Sequence, residues 1–311
     1  MPVLRAMRIW SRLHGRGRAA GPPAPFIVGV ARSGTTLLRL MLDAHPELAI
    51  PPETHFIPKV IEACEGSGDP HDTVLKLLTS HRRWPDYQLD ADELRQRLAR
   101  IQPLTAGDAL RAFYGLYAEK QGKPRWGDKS PSYVRKMRRV ASALPEAHFV
   151  HLVRDGRDVA LSQVEVDFGP DEVTGAAEKW VDGITKARRQ ARRLRHYLEL
   201  RYEDLVADPE PSLRRVCGFL DLRWDPAMLD YHEGADERMA AMTRDFERGG
   251  GPAIPAAVRA SRHARVAEPP QRERAGRWRT DMSGPDREAF EAIAADLLSE
   301  LGYEVGERAS R

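Results

Sequence analysis

Two glycines and a run of hydroxyl residues follow an apolar stretch at Gly29-Val30-Ala31-Arg32-Ser33-Gly34-Thr35-Thr36. The glycine spacing is that of a nucleoside triphosphate loop, G-x-x-x-x-G-K-[ST], with Thr35 standing at the lysine position. In a nucleotidase that lysine reaches the β- and γ-phosphates, and the hydroxyl residue holds magnesium. A chain without it lacks the main electrostatic clamp for ATP or GTP hydrolysis. Phosphate binding itself is retained. Gly34 lets the backbone turn and approach closely, and successive N–H groups with the following helix N-terminus form an anion cradle. Thr35 and Thr36 add hydroxyl donors, Ser33 adds a backbone amide, and Arg32 adds positive charge.

A second polar loop follows another apolar stretch, at His151-Leu152-Val153-Arg154-Asp155-Gly156-Arg157-Asp158. Arg154 comes directly after the apolar residues. Ser162 lies about two helical turns further on. An arginine and a serine hydroxyl suit a second phosphate. The plainer reading has Asp155 and Asp158 pairing with Arg157 and capping a helix. Two anion sites on neighbouring strand ends point to a nucleotide phosphorylated at both ends of its ribose.

These loops need elements to hold them. Pro25–Ala31, Ala147–Val153 and His196–Tyr202 read as buried strands. A helix carries Leu37, Leu38, Leu40, Met41 and Leu42 and ends near His45-Pro46. Further helices are predicted over Thr73–Arg82, Ala91–Ile101, Ala106–Gln121, Ser132–Leu144, Val159–Val166 and Ala176–Arg195. Asp208-Pro209 offers an N-cap and first-turn proline for a helix through Leu220. Pro285–Leu301 is the closing helix, with Gly302 at the capping position. Arg248–Pro270, rich in Gly, Pro and Ala, reads as a flexible loop. Strands alternating with helices predict an α/β fold: a P-loop-like, doubly wound parallel sheet flanked by helices. Ligands of such sheets sit at the carboxyl ends of the strands.

The 311 residues fit one domain over 25–311, preceded by a basic tail over 1–24. The first acidic residue is Asp43, whereas Arg5, Arg8, Arg12, Arg16 and Arg18 crowd the start. That segment lacks the apolar run of a signal peptide. A frayed basic tail is the expectation, with weak membrane-surface contact through an interfacial helix as its alternative. The net charge of +3 gives no nucleic-acid signature. No apolar run reaches the ~18 residues of a spanning helix. Cys64 and Cys217 have no partners at metal spacing, so neither a zinc site nor a disulfide framework is expected.

The two loops and four further blocks resemble the sulfotransferase family. Arg32-Ser33-Gly34-Thr35-Thr36-Leu37-Leu38, Asp43-Ala44-His45-Pro46-Glu47 and Pro52-Glu53-Thr54 are similar to the family's 5′-phosphosulfate region. The similarity is to the branch that contains the tyrosylprotein sulfotransferases and their bacterial relatives. Leu152 to Ser162 resembles its 3′-phosphate motif, and Gly127-Asp128-Lys129-Ser130-Pro131 and Arg201-Tyr202-Glu203-Asp204-Leu205 also match. The C-terminal third is similar only in outline, around Gly276-Arg277-Trp278.

The resemblance implies 3′-phosphoadenosine 5′-phosphosulfate as sulfuryl donor, no metal, and an acceptor hydroxyl on a carbohydrate, peptide, lipid or small molecule. It implies that Arg32 contacts the phosphosulfate, and that Ser33, Gly34, Thr35 and Thr36 hold the 5′-phosphate. Arg154 and Ser162 would hold the 3′-phosphate, with Tyr202 and Arg277 adding contacts. Glu53 would be the general base and Lys129 would stabilise the leaving oxygen. Plainer readings stand beside these. Glu53 is a loop acid, His55 is a second candidate base, and Lys129 beside Asp128 has the pattern of a surface pair worth ~0–1 kcal/mol. The arginines at 188, 189, 192, 193 and 195 read as a solvated face, and His45 as a helix-end packing residue. A kinase with a degenerate phosphate loop and a non-catalytic nucleotide-binding protein are the competing functions. The eukaryotic relatives carry a membrane anchor that this sequence lacks, so a cytoplasmic setting is expected.

Overall fold

The computed structural model describes residues 21–66, 68–164, 172–234, 246–248, 251–254 and 268–306. Most of the expected basic tail, and most of the expected loop over Arg248–Pro270, lie outside them.

In chain order the first half comprises β1 (Ala24–Val28), α1 (Thr35–Asp43), β2 (Leu48–Ala49), α2 (Ile57–Glu65), α3 (His71–Thr79), α4 (Trp84–Tyr87), α5 (Ala91–Ala99), α6 (Ala106–Lys120), β3 (Arg125–Trp126), β4 (Asp128–Lys129) and α7 (Met137–Ala143). The second half comprises β5 (Ala147–Val153), α8 (Gly156–Val164), α9 (Val173–Ala191), β6 (Tyr197–Arg201), α10 (Tyr202–Ala207), α11 (Pro209–Phe219), β7 (Phe246–Arg248), β8 (Gly251–Ile254), α12 (Trp278–Asp281) and α13 (Gly284–Glu300).

The central sheet has the order β4-β1-β5-β6, and every pairing is parallel. Its two middle strands are buried along their whole length. Continuous apolar runs without alternation are what a parallel sheet covered on both faces requires. One face packs against α2, α5, α6 and α7, the other against α1, α10 and α11. A third apolar cluster joins α8, α9, α12 and α13 beyond the carboxyl ends of β1 and β5. From β1 the chain next enters the sheet at β4, and from β5 it enters at β6, on the opposite side. The strand order therefore reverses between β1 and β5, and the crevice at their carboxyl ends is the switch point of the sheet.

The parallel sheet and its three long strands agree with the sequence reading. Some boundaries do not. β1 stops at Val28, three residues before the expected end, because the turn into α1 already starts at Gly29. The helix expected over Ser132–Leu144 is a 3₁₀ segment, Pro131–Arg135, and then α7, broken at Lys136, whose φ of −133° is not helical. Asp208 holds the N-cap position of α11, but its side chain makes no capping bond. Part of the segment expected as a flexible loop is a two-stranded antiparallel ladder, β7 against β8. Gly302 is left-handed, at φ 76°, as a capping glycine should be.

Candidate active site

The loop between β1 and α1 is shaped by Gly34. Its φ is 91°, and a Cβ there would lie 2.4 Å from the Tyr202 ring. Glycine is needed both for the left-handed turn and for the close approach of that ring. The turn delivers the first amides of α1, which have no intrahelical acceptor, to the switch-point crevice. Ser33 is buried and its hydroxyl has no partner among the described residues. Arg32 is itself left-handed, at φ 74°. Its Nε donates to Ser162 Oγ at 2.9 Å.

Arg154 leaves the end of β5 and is almost wholly buried. Its guanidinium lies 4.4 Å over the Tyr202 ring, donates to the Arg274 carbonyl at 2.6 Å and to the Arg32 carbonyl at 3.3 Å, and pairs with Asp158 at 3.5 Å. Its Nε has no partner among the described residues. Arg32, Arg154, Ser162 and Tyr202 thus form one contiguous group across the β1–β5 crevice. The two expected anion sites are neighbours, and Arg32 spans them.

Asp155 does pair with Arg157, in a two-nitrogen grip at 2.8 and 3.0 Å, and the guanidinium stacks 3.5 Å over Trp278. Asp158 acts differently from that reading. Its carboxylate accepts from the backbone amides of Gly276 and Trp278, at 2.8 and 2.9 Å. This pins the start of α12 to the first turn of α8. Arg277 sits between those amides, and its side chain pairs with Asp281.

The second half of the site lies across Thr36. Lys129, at the end of β4, is 2% exposed, and its Nζ is 2.5 Å from Glu53 Oε1 and 3.3 Å from Thr36 Oγ1. The surface-pair reading of Asp128 and Lys129 therefore fails, since both are buried. Glu53 keeps 23% of its side chain exposed. His55, left-handed at φ 55°, turns its Nε2 back to Glu53 Oε2 at 2.8 Å, and Arg83 stands 3.7 Å from the same oxygen. Burial acts to raise the Glu53 carboxyl, but Lys129, His55 and Arg83 outweigh it and hold it well below the usual carboxylate range. Burial pulls Lys129 down, and Glu53 opposes that pull. Of the four described non-glycine residues with positive φ, Arg32 and His55 both belong to this site.

Sequence reasoning missed Arg83 and Arg274, which come from segments with no motif. His45 packs as expected. It is buried, Nδ1 accepts from the Glu47 amide, and Nε2 donates to the Arg223 carbonyl at 2.9 Å.

A family model described as "Sulfotransferase family" matches residues 23–226. The chain belongs to the sulfotransferase family. It is 28% identical over 291 residues to a protein-tyrosine sulfotransferase of Drosophila melanogaster, covering 91% of this chain and 52% of that one. It is 27% identical over 290 residues to protein-tyrosine sulfotransferase 1 of Danio rerio, covering 91% and 72%. The chain thus spans about half the length of the Drosophila enzyme. Among solved structures, the sulfotransferase domain from the Synechococcus PCC 7002 olefin synthase superposes with a TM-score of 0.63 at 25% identity. That match covers 94% of this chain and 99% of the domain. The sulfotransferase domain from the curacin biosynthetic pathway gives 0.62 at 25% identity, covering 93% and 100%.

Proposed function

We propose that this sulfotransferase-family chain moves a sulfuryl group from 3′-phosphoadenosine 5′-phosphosulfate to an acceptor hydroxyl. The observation that carries the reading is the Glu53–Lys129 contact beside Thr36, on the phosphate loop's side of the crevice. A carboxylate and an ammonium at this edge suit the two ends of an in-line displacement. Glu53 takes the proton as the acceptor oxygen bonds to sulfur. The bond from sulfur to the 5′-phosphate oxygen breaks, and Lys129 and the α1 amides meet the charge that develops there. Adenosine 3′,5′-bisphosphate leaves.

The crevice fits such a donor. It offers two donors without protein acceptors, Ser33 Oγ and Arg154 Nε, at the Gly34 turn and the end of β5. In this proposal Ser33, Gly34, Thr35 and Thr36 hold the 5′-phosphate. Arg154 and Ser162 take the 3′-phosphate, with Tyr202 beneath Arg154. Arg32 rotates from Ser162 onto the phosphosulfate, freeing the serine hydroxyl. Arg277 closes from the α12 side by exchanging Asp281 for the 3′-phosphate. A cytoplasmic, reducing setting belongs to the same reading, supported by the two free thiols, Cys64 and Cys217.

Thr35 at the lysine position stands against the kinase reading. A thermal-shift comparison of adenosine 3′,5′-bisphosphate with ATP plus magnesium decides between them, because a ligand of the native state raises Tm. The bisphosphate should stabilise. Stabilisation by ATP-magnesium alone would overturn the proposal. A screen of carbohydrate, tyrosine-peptide, lipid and natural-product hydroxyls with labelled donor then identifies the acceptor.

A further inference from the structure

Glu53 and Lys129 are far apart in sequence and sit on different elements, the loop after β2 and the end of β4. Their meeting depends on what ties that loop to that strand. Beside each lies a buried residue, Thr54 and Asp128, both 0% exposed. Thr54 Oγ1 donates to Asp128 Oδ2 at 2.8 Å, and Tyr114 donates to the same oxygen at 2.9 Å. With its only proton given to Asp128, Thr54 accepts from Tyr133 at 3.0 Å. Tyr133 in turn accepts from the Ile57 amide at 3.1 Å. The bonds therefore run in one direction, from the loop backbone through two hydroxyls to a carboxylate. The Thr54 amide donates to Ser130 Oγ at 3.1 Å, and Tyr87 donates to the Glu53 carbonyl at 3.1 Å.

A buried carboxyl whose charge burial disfavours, with no ion pair to a cation among the described residues, is an expensive way to fasten a loop. A carboxylate oxygen accepts several hydroxyls at once, which an apolar side chain does not. On the reading that Glu53 is the base and Lys129 its electrostatic partner, we infer that Asp128, acting through Thr54, is the positioning residue that fixes their separation. Neither touches substrate. Their role is to keep the carboxylate against the ammonium beside Thr36, with His55 and Arg83 on its other side.

The test is the titration of the Glu53 carboxyl, followed by NMR in protein labelled with 13Cδ-glutamate and assigned with Glu53→Gln. In the parent, the Glu53 titration lies well below the usual carboxylate range. Thr54→Val keeps the volume and removes the hydroxyl. It should move the titration up by about one pH unit, a tenfold change in proton affinity. Thr54→Ser should restore the parental curve. A purely structural threonine would lower the urea midpoint and leave Glu53 unmoved. A parental titration in folded Thr54→Val overturns the inference. Should that variant not fold, Tyr114→Phe removes the other donor to the same oxygen and gives the same reading. The titration needs neither donor nor acceptor, so its failure is distinct from failure to transfer sulfate. Where transfer is measured, kcat should fall about tenfold in Thr54→Val with donor KM unchanged.

Discussion

At the scale of single residues, the proposed reaction divides the site into groups that grip and groups that react. Arg154 has its Nε unpartnered, and its other nitrogens go to carbonyls and Asp158. A charge-assisted hydrogen bond contributes roughly 1.5–3 kcal/mol. Arg154→Ala should therefore weaken adenosine 3′,5′-bisphosphate binding about tenfold to a hundredfold by calorimetry. Glu53→Gln should leave that affinity within a factor of two and lower kcat by about 10²–10⁴, the usual contribution of a general base. Equal loss of nucleotide binding in both variants would show the roles to be misassigned. Lys129 presses the Glu53 carboxyl down, so the parent's kcat/KM should not lose Glu53 to protonation between pH 7 and 5. Lys129→Met removes that pressure. The acid limb of its profile should move up toward and beyond the ordinary carboxylate value. An unmoved limb would mean that Lys129 does not control the base.

At the scale of elements, the Gly34 turn is constrained twice over, by its left-handed φ and by the Tyr202 ring. A methyl group there meets the Tyr202 ring and forces an L-residue to φ 91°. Overpacking and left-handed strain together cost about 2–4 kcal/mol. Gly34→Ala should drop Tm by several degrees and weaken nucleotide binding. Adding Tyr202→Ala should recover the packing part of the loss and not the strain. A Gly34→Ala protein with parental Tm would show that the loop adapts.

The same scale explains what could be read from the sequence. The strands at 24–28 and 147–153 were legible because short, mostly apolar runs bounded by turn residues have few other uses. The Gly34 and Arg154 loops were legible because they follow directly on those strands. β2, β3 and β4 were not, since two-residue strands carry no period. With β4 hidden, nothing in the sequence placed Lys129 at a sheet edge, and only the matched block pointed to it. Thr54, Asp128 and Tyr114 lie in or between matched blocks, yet their hydrogen bonds join segments separated by tens of residues. Spacing along the chain cannot reveal that. Arg83 and Arg274 were invisible for the same reason.

At the scale of the whole molecule, the sheet carries buried histidines that set its acid stability. His151 is fully buried on β5. Its Nδ1 bonds Tyr197, whose proton goes to Glu199, so Nδ1 is the protonated nitrogen and Nε2 is left without a partner. Charging the ring would bury an N–H with no acceptor. Burial pushes His151 down to about 4, despite Glu199, and His148 down to about 4 as well. Both bind protons less readily when folded, so the stability they lend is complete above about pH 6.5 and is lost as pH falls toward 4. Each should subtract roughly 2 kcal/mol between pH 7 and 5, read from urea unfolding at the two pH values. His151→Asn should flatten that difference by about half. An unchanged slope would mean that other groups drive the acid transition.

The family model ends at residue 226, but the architecture does not. Asp158 reaches out from α8 to hold the amides at 276 and 278, Arg154 leans on the carbonyl at 274, and α13 lies against α9. The part of the polypeptide beyond that model is therefore one wall of the candidate site. Divergence there would change the shape of the proposed donor site without altering a single signature residue, and swapping C-terminal segments between relatives would transplant one wall of that site along with them.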